Sequence, residues 1–402
     1  MNPPTPKKRI LKPLQIIAEF IRLESSSGII LFIAAVAALF IANSPLGVHY
    51  QHLLHTPIGW EIGQFNISTT VIFLIDDLLM AVFFLLVGLE IKREVLLGEL
   101  NSLAKVSLPG IAALGGMIAP ALIYTLFNHN DSFAMRGWAI PTATDIAFAL
   151  GIMALVGKRI PLSVKLFLMA LAIFDDIGAI IIIAVFYVGA ISWVALGGAG
   201  LCVALLWLQN KMGVTRLWPY LLLGAVLWVL LLKSGIHPTL AGVLLALTIP
   251  IKEGGQSPLH LLERKLHPWV AYAILPLFSF ANAGISFAGF KFGELFTPLS
   301  VGIMAGLFLG KPIGVFISTW LAVRFRIAPM PKDANWLQIF GVAVLCGVGF
   351  TMSLFIGQLA FDDVDSGYPV LVRFGVIMGS FLAGICGYYL LRLGTKRHNK
   401  PL

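Results

Sequence analysis

Asp175 and Asp176 are neighbours in the middle of LFLMALAIFDDIGAIIIIAVFYVGA, residues 166–190, a stretch with no other charge. A carboxylate in hydrocarbon costs about 2.5–3.5 kcal/mol on insertion scales, and two adjacent ones also repel each other. Such a pair persists where a proton or a metal cation offsets its charge. Two more isolated charges accompany it: Asp145 in AIPTATDIAF, residues 139–148, and Lys311, the sole charge across residues 295–323. Counted from Lys165, Asp175 lies about 15 Å into its helix, and Asp145 lies about 12 Å in from Gly137. Both depths fall near the middle of a ~30 Å hydrocarbon core, as does Lys311. Charges at one depth have reason to meet, because pairing lowers the desolvation cost.

Adjacent helical residues point about 100° apart, so the two aspartates suit different tasks. In one division of labour, Asp175 pairs with Lys311 while Asp176 faces an aqueous funnel and takes the ion. Carboxylate oxygens, the Thr144 hydroxyl and backbone carbonyls suit a hard cation such as Na⁺. No thiolate or imidazole stands nearby for a transition metal. Protons and a cation would compete for the same oxygens. The bland alternative is a buried structural ion-pair network.

The elements that must position these groups are apolar. Of 402 residues, 58% are hydrophobic and 12% charged, against roughly 25% charged in soluble domains. Mean hydropathy is +0.92. About twelve apolar runs are separable, which predicts one all-α polytopic membrane domain over residues 1–402. The formal charge of +9 invites a nucleic-acid reading. Instead, most of the 28 Lys and Arg fall on one predicted side of the bilayer, with Arg136, Lys233 and Lys291 as exceptions. That asymmetry puts both termini in the cytoplasm and implies no nucleic acid. Cys202, Cys346 and Cys386 sit in apolar runs without paired spacing and read as small hydrophobes. Residues 1–26 read as a cytoplasmic amphipathic segment rather than a cleaved leader, with Ile10, Leu14, Ile17 and Ile21 on one face.

The longest loop, residues 44–70, carries PIGWEIGQFNIS and suits a short extracytoplasmic β-hairpin. A bare hairpin is marginal in water, so a dimer partner is expected along its edge. Two spans look broken in mid-membrane, one at Pro141, Thr142 and Thr144, the other at Gly347, Gly349, Thr351 and Ser353. Paired interruptions point to a transporter's binding site; plain Gly/Thr helix packing is the alternative. Where broken helices cross, Asp145 is suited to the positive helix ends and Lys311 to the negative ones.

Other polar groups cluster at the predicted helix ends. Asp77 begins a span near the outer surface and suits an ion path or a helix start. VGLEIKRE brings Glu90, Arg93 and Glu94, and LLERKLHPW brings Glu263 and His267, to the cytoplasmic side. These are surface ion pairs in the simple reading and a titrating cluster at a funnel mouth in the other. His237, beside Pro238, is a second candidate of that kind. The run from His49 through His52 to His55 holds no acid or cysteine to complete a metal site.

These segments resemble the NhaA-type Na⁺/H⁺ antiporters of bacterial inner membranes. The resemblance covers nearly the whole chain: AVFFLLVGLEIKRE, PTATDIAFALG, FDDIGAI, KSGIHPTLAGV, LHPWVAYAILPLFSFANAG, LGKPIG and CGVGFTMSLFI. It implies inverted-topology repeats with two broken crossing helices, a multi-pass inner-membrane location, a homodimer and no cofactor. It further implies electrogenic exchange of one Na⁺ or Li⁺ for two H⁺ by alternating access, shut down at acid pH and serving pH and Na⁺ homeostasis. In it Asp175 and Asp176 form the ion and proton site, Asp175 alternates with Lys311, and Thr144 and Asp145 lie at the crossing. Asp77 lines the route, and Glu90, Arg93, Glu94, Glu263 and His267 form a pH-responsive entrance. An intramembrane aspartyl protease is disfavoured, because vicinal carboxylates on one helix cannot face each other as a dyad. A sodium-coupled symporter would need a pocket for an organic solute.

Overall fold

The computed structural model describes residues 13–62, 65–98, 103–157, 159–251, 257–287, 292–361 and 367–397. In chain order they form α1 Pro13–Ala42, α2 Gly47–Leu54, strands β1 Pro57–Ile62 and β2 Phe65–Thr70, α3 Val71–Leu97 and α4 Leu103–Asn128. A 3₁₀ segment, Ala134–Thr142, leads into α5 Ile146–Val156. There follow α6 Leu162–Phe186, α7 Trp193–Lys211, α8 Leu217–Ser234, α9 Leu240–Thr248 and α10, residues 258–283. The last elements are α11 Pro298–Arg324, α12 Trp336–Leu345, α13 Phe350–Phe361 and α14 Tyr368–Arg397.

The all-helical membrane architecture holds, but the expected twelve spans do not all meet the length and apolarity of a crossing helix. Among the described residues seven helices do, and up to ten do if each bent pair is taken as one span. Two elements are not among them: α9, which has nine residues, and α10, which carries Glu263, Arg264 and Lys265 in its second turn. The amphipathic segment expected over residues 1–26 lies partly outside the described residues. From Pro13 the chain runs without interruption to Ala42, and residues 1–12 lie outside the described residues.

The hairpin is present, with Pro57 opposite Thr70 and Ile62 opposite Phe65 in an antiparallel pair. Aromatic and β-branched residues favour these strands, and α2 precedes them as an element the loop reading did not include. Thr70 closes the hairpin and caps α3 by accepting from the Phe73 amide at 3.4 Å.

Both interruptions are real. The 3₁₀ segment and α5 meet at 41°, and α12 and α13 at 40°. Asp131 secures the approach to the first: it accepts from the amides of Phe133 and Ala134 at 2.9 and 3.0 Å. Those hydrogen bonds hold its carboxyl below the ordinary aspartate value.

Close helix contact seats Lys311. A Cβ on Gly314 of α11 would lie 2.1 Å from the Gly115 carbonyl oxygen of α4, and one on Gly310 would lie 2.6 Å from the Pro120 Cα. Small residues of this kind let membrane helices touch backbone to backbone. A π-turn, Gly306–Gly310, immediately precedes Lys311, and another, Leu74–Leu79, carries Asp76 and Asp77. Such turns concentrate at functional positions because they re-aim side chains.

Gly314→Leu is expected to cost about 1–3 kcal/mol by overpacking. Thermal unfolding in detergent would show it, and an unchanged melting temperature would mean that backbone contact does not seat α11. Because folding depresses the Asp131 value, its stabilisation is complete above the unfolded pKa and fades as pH falls through the folded one. The melting difference between the parent protein and Asp131→Asn is therefore expected at neutral pH and should close below about pH 4.

Candidate functional site

Breaking a helix inside a membrane strands amides and carbonyls that water cannot reach. At the crossing, one side chain serves two of these ends. Asp145 Oδ1 accepts from the Phe148 amide at 2.9 Å and caps α5. Its Oδ2 accepts from the Thr351 amide at 3.1 Å and the Thr351 hydroxyl at 2.5 Å, at the start of α13. The positive ends of two half-helices thus share one buried carboxylate. The Asp145 amide itself donates to the Val348 carbonyl at 2.7 Å.

The negative ends are served from α11 and α13. Lys311 Nζ donates to the Thr142 carbonyl at 2.5 Å and to Asp175 Oδ2 at 2.6 Å. The Ser353 hydroxyl donates to the Ile140 carbonyl at 2.7 Å. Thr144 Oγ1 lies 2.6 Å from Asp175 Oδ2 and 2.8 Å from the Cys346 carbonyl. A hydroxyl carries one proton, so it serves only one of these acceptors at a time. Asp175 Oδ1 is buried and takes no hydrogen bond among the described residues.

The two adjacent aspartates diverge, as their spacing on one helix requires. Asp175 and Lys311 have no side-chain exposure where they pair. Asp176 turns toward a crevice of about 30 Å³ that Glu90, Ile146, Ile173 and Val87 also line. That space admits water-sized spheres, room for a small ion and too little for an organic solute. The crevice sits on the side of the site away from the hairpin, toward the Glu90 end of α3.

The remaining predicted residues occupy two separate places. At the end far from the hairpin, Arg93 Nε meets Glu263 Oε1 at 3.0 Å and Arg93 Nη1 meets Glu94 Oε1 at 2.7 Å. His267 is buried one turn beyond Glu263. Arg264 points to solvent and leaves that pairing intact. At the hairpin end, His237 Nε2 lies 3.4 Å from Asp77 Oδ1, and its Nδ1 lies 2.9 Å from the Thr239 hydroxyl. Neither group reaches the crossing. Thr351 was visible only as part of a broken span, and its role as the second donor to Asp145 was missed. The Thr-x-x-x-Phe pattern shared by Thr144/Phe148 and Thr351/Phe355 was the available signal.

Comparison with known proteins places the geometry in context. Residues 18–391 match the family described as Na⁺/H⁺ antiporter 1. The chain is 54% identical over 380 residues to the Na(+)/H(+) antiporter NhaA of Pseudomonas putida, covering 94% of this chain and 97% of that protein. It is 55% identical over 393 residues to the NhaA antiporter of Rhodospirillum rubrum, covering 96% and 98%. The Yersinia enterocolitica NhaA antiporter is 53% identical, with 94% and 96% covered.

If one carboxylate holds both half-helices, removing it should cost more than removing one of its donors. Asp145→Ala is expected to lose about 2–4 kcal/mol, and Thr351→Val about 1 kcal/mol. Equal melting temperatures for the two variants in detergent would contradict the shared cap.

Proposed function

The chain belongs to the NhaA-type Na⁺/H⁺ antiporter family, and from that premise we propose that it exchanges cytoplasmic Na⁺ for external protons across a bacterial inner membrane. The observation that carries this reading is the divergence of the vicinal pair: Asp175 is locked to Lys311, while Asp176 faces a crevice of ion size.

In the proton-loaded site, Lys311 is an ammonium, Asp175 a carboxylate and Asp176 an acid, so the net charge is zero. A sodium ion arriving through the crevice displaces the Asp176 proton. It then competes with Lys311 for Asp175, and Lys311 gives up its own proton. The loaded site holds Na⁺, two carboxylates and a neutral amine, one unit more negative than before. One Na⁺ thus replaces two H⁺, each cycle moves one net charge, and the membrane potential assists. Li⁺, also a hard monovalent cation, fits the same oxygens.

The topology proposed puts the hairpin outside and both termini in the cytoplasm, following the distribution of Lys and Arg. The two interrupted helices run in opposite directions through the site, which suits inverted repeats and alternating access. With the crevice on the cytoplasmic side, we read this conformation as inward-facing. The Arg93, Glu94 and Glu263 pairs, with Glu90 and His267, stand at its mouth, and pH acts on the entrance through this charged cluster. This is our reading of shutdown at acid pH. The hairpin edge is the proposed contact of a homodimer.

A symporter needs room for an organic solute, which the crevice at Asp176 does not offer. A protease needs two facing carboxylates, and these two diverge.

The test is Na⁺-induced collapse of a preset ΔpH in everted vesicles, followed by H⁺ flux in proteoliposomes. Asp176→Asn is expected to reduce the response to background. In the parent protein, dissipating the membrane potential with valinomycin and K⁺ should change the rate. Full exchange by Asp176→Asn would remove Asp176 from the mechanism, and a rate indifferent to potential would remove the charge count.

A further inference from the structure

A polar cavity lies at the hairpin end, away from the site described. It measures about 290 Å³ and is lined by Asp76, Asp77, His237, Asn282, Gln358 and Arg373, among others. Asp76 forms the centre of a compact triangle. Its Oδ1 accepts from Asn282 Nδ2 at 2.6 Å, and its Oδ2 accepts from Gln358 Nε2 at 2.8 Å. Gln358 Nε2 also donates to Asn282 Oδ1. The second Asn282 proton goes to the Phe278 carbonyl at 3.2 Å. All the amide protons are therefore placed, and one acceptor is left over: Gln358 Oε1 is buried and takes no hydrogen bond among the described residues.

A primary amide presents two donors on one side and an oxygen on the other, and rotation exchanges them. Without a cation, the amides turn their protons toward Asp76. With a cation, they turn their oxygens inward. The Asp76 carboxylate, Asn282 Oδ1 and Gln358 Oε1 then form an all-oxygen set suited to a hard cation. The triangle is satisfied in its empty form by its own donors, so vacating it strands no buried carboxylate.

The position also has meaning along α13. Thr351, Phe355 and Gln358 follow at i, i+4 and i+7 and share one helical face. Thr351 touches Asp145, and Gln358 touches Asp76. Between them the Phe355 ring packs against Phe84, Phe278 and His237, with centroids at 5.5, 6.3 and 5.7 Å. Apolar rings thus separate the crossing from the cleft.

We propose that the cleft contains a second binding site for the transported monovalent cation, with Asp76 as its charged ligand and the side-chain oxygens of Asn282 and Gln358 as neutral ligands. The inference rests on the antiport reading for the identity of the cation. The site receives the ion on the outer side of the aromatic rings before release. The Arg373 guanidinium in the same cleft opposes a second positive charge and keeps occupancy brief, as release requires.

The test compares the two faces. Right-side-out vesicles present the hairpin end to added Na⁺, and everted vesicles present the opposite end. In Gln358→Leu and in Asp76→Asn, the Na⁺ concentration for half-maximal H⁺ flux is expected to rise at the hairpin face by about tenfold relative to the other face. A structural role alone would move both faces together, and an unchanged ratio overturns the proposal. A binding readout accompanies it: in purified Asp175→Asn/Asp176→Asn protein, ²³Na resonance broadening should persist and should vanish when Asp76→Asn is added. Broadening that is absent from the double variant, or unaffected by Asp76→Asn, also overturns it. The antiport reading fails differently, through a parent protein that shows no Na⁺-dependent H⁺ flux from either face.

Discussion

A helix interrupted inside hydrocarbon must find partners for its freed backbone groups within the protein, because no water reaches them. Here two interruptions meet, and the solution is electrostatic as well as geometric. The two amide ends converge on the Asp145 carboxylate, and a carbonyl end meets the Lys311 ammonium. Each charge is costly alone in a membrane. Each is supported because it faces the opposite end of a helix dipole. The crossing exists because those charges are there, and the charges are tolerated because the crossing is there.

Lys311 joins structure to chemistry. Its ammonium holds the Thr142 carbonyl and the Asp175 carboxylate at the same time. The groups around it leave it little freedom: the Gly310 and Gly314 contacts bring α11 against α4, and the π-turn before it sets its direction. Whatever displaces Lys311 from Asp175 therefore also disturbs a half-helix end. A cation at Asp175 cannot be a purely local event, since the group it displaces is a structural cap. This is a physical route from ion binding to helix movement, and it needs no further connecting element.

The charged centre was largely legible in the sequence, because isolated charges in apolar runs are rare and their depth follows from helical rise. Asp175 and Lys311 pair as their shared depth suggested, Asp145 caps the crossing next to Thr144, which reaches Asp175, and Asp176 turns away as its 100° offset requires. The hairpin was legible from its turn residues and aromatic alternation, but α2 was not, since GVHYQHLL carries no strong helix signal. Apolarity marks about twelve runs, while length and composition together qualify seven helices among the described residues, or up to ten with bent pairs joined; α9, for one, has nine residues. The Asp76, Asn282 and Gln358 triangle was invisible. Its amides stand in apolar segments with no periodic or spacing signal, and three distant helices bring them together.

The loose ends of the hydrogen bonding also carry information. In a settled membrane core nearly every buried polar atom is paired, yet among the described residues Asp175 Oδ1 accepts no hydrogen bond and the Thr144 proton has two acceptors to choose between. Both lie on the carboxylate that Lys311 holds. A site built only for stability would fill that oxygen and fix that proton, since each omission forfeits a hydrogen bond in a place where hydrogen bonds are strong. A site that must exchange an ammonium for a metal ion needs a spare oxygen to begin coordinating before the ammonium has left, and a hydroxyl free to turn its lone pair inward. The incomplete bonding at Asp175 is thus what a bistable site requires: enough contacts to define the resting pair, and too few to prevent its replacement.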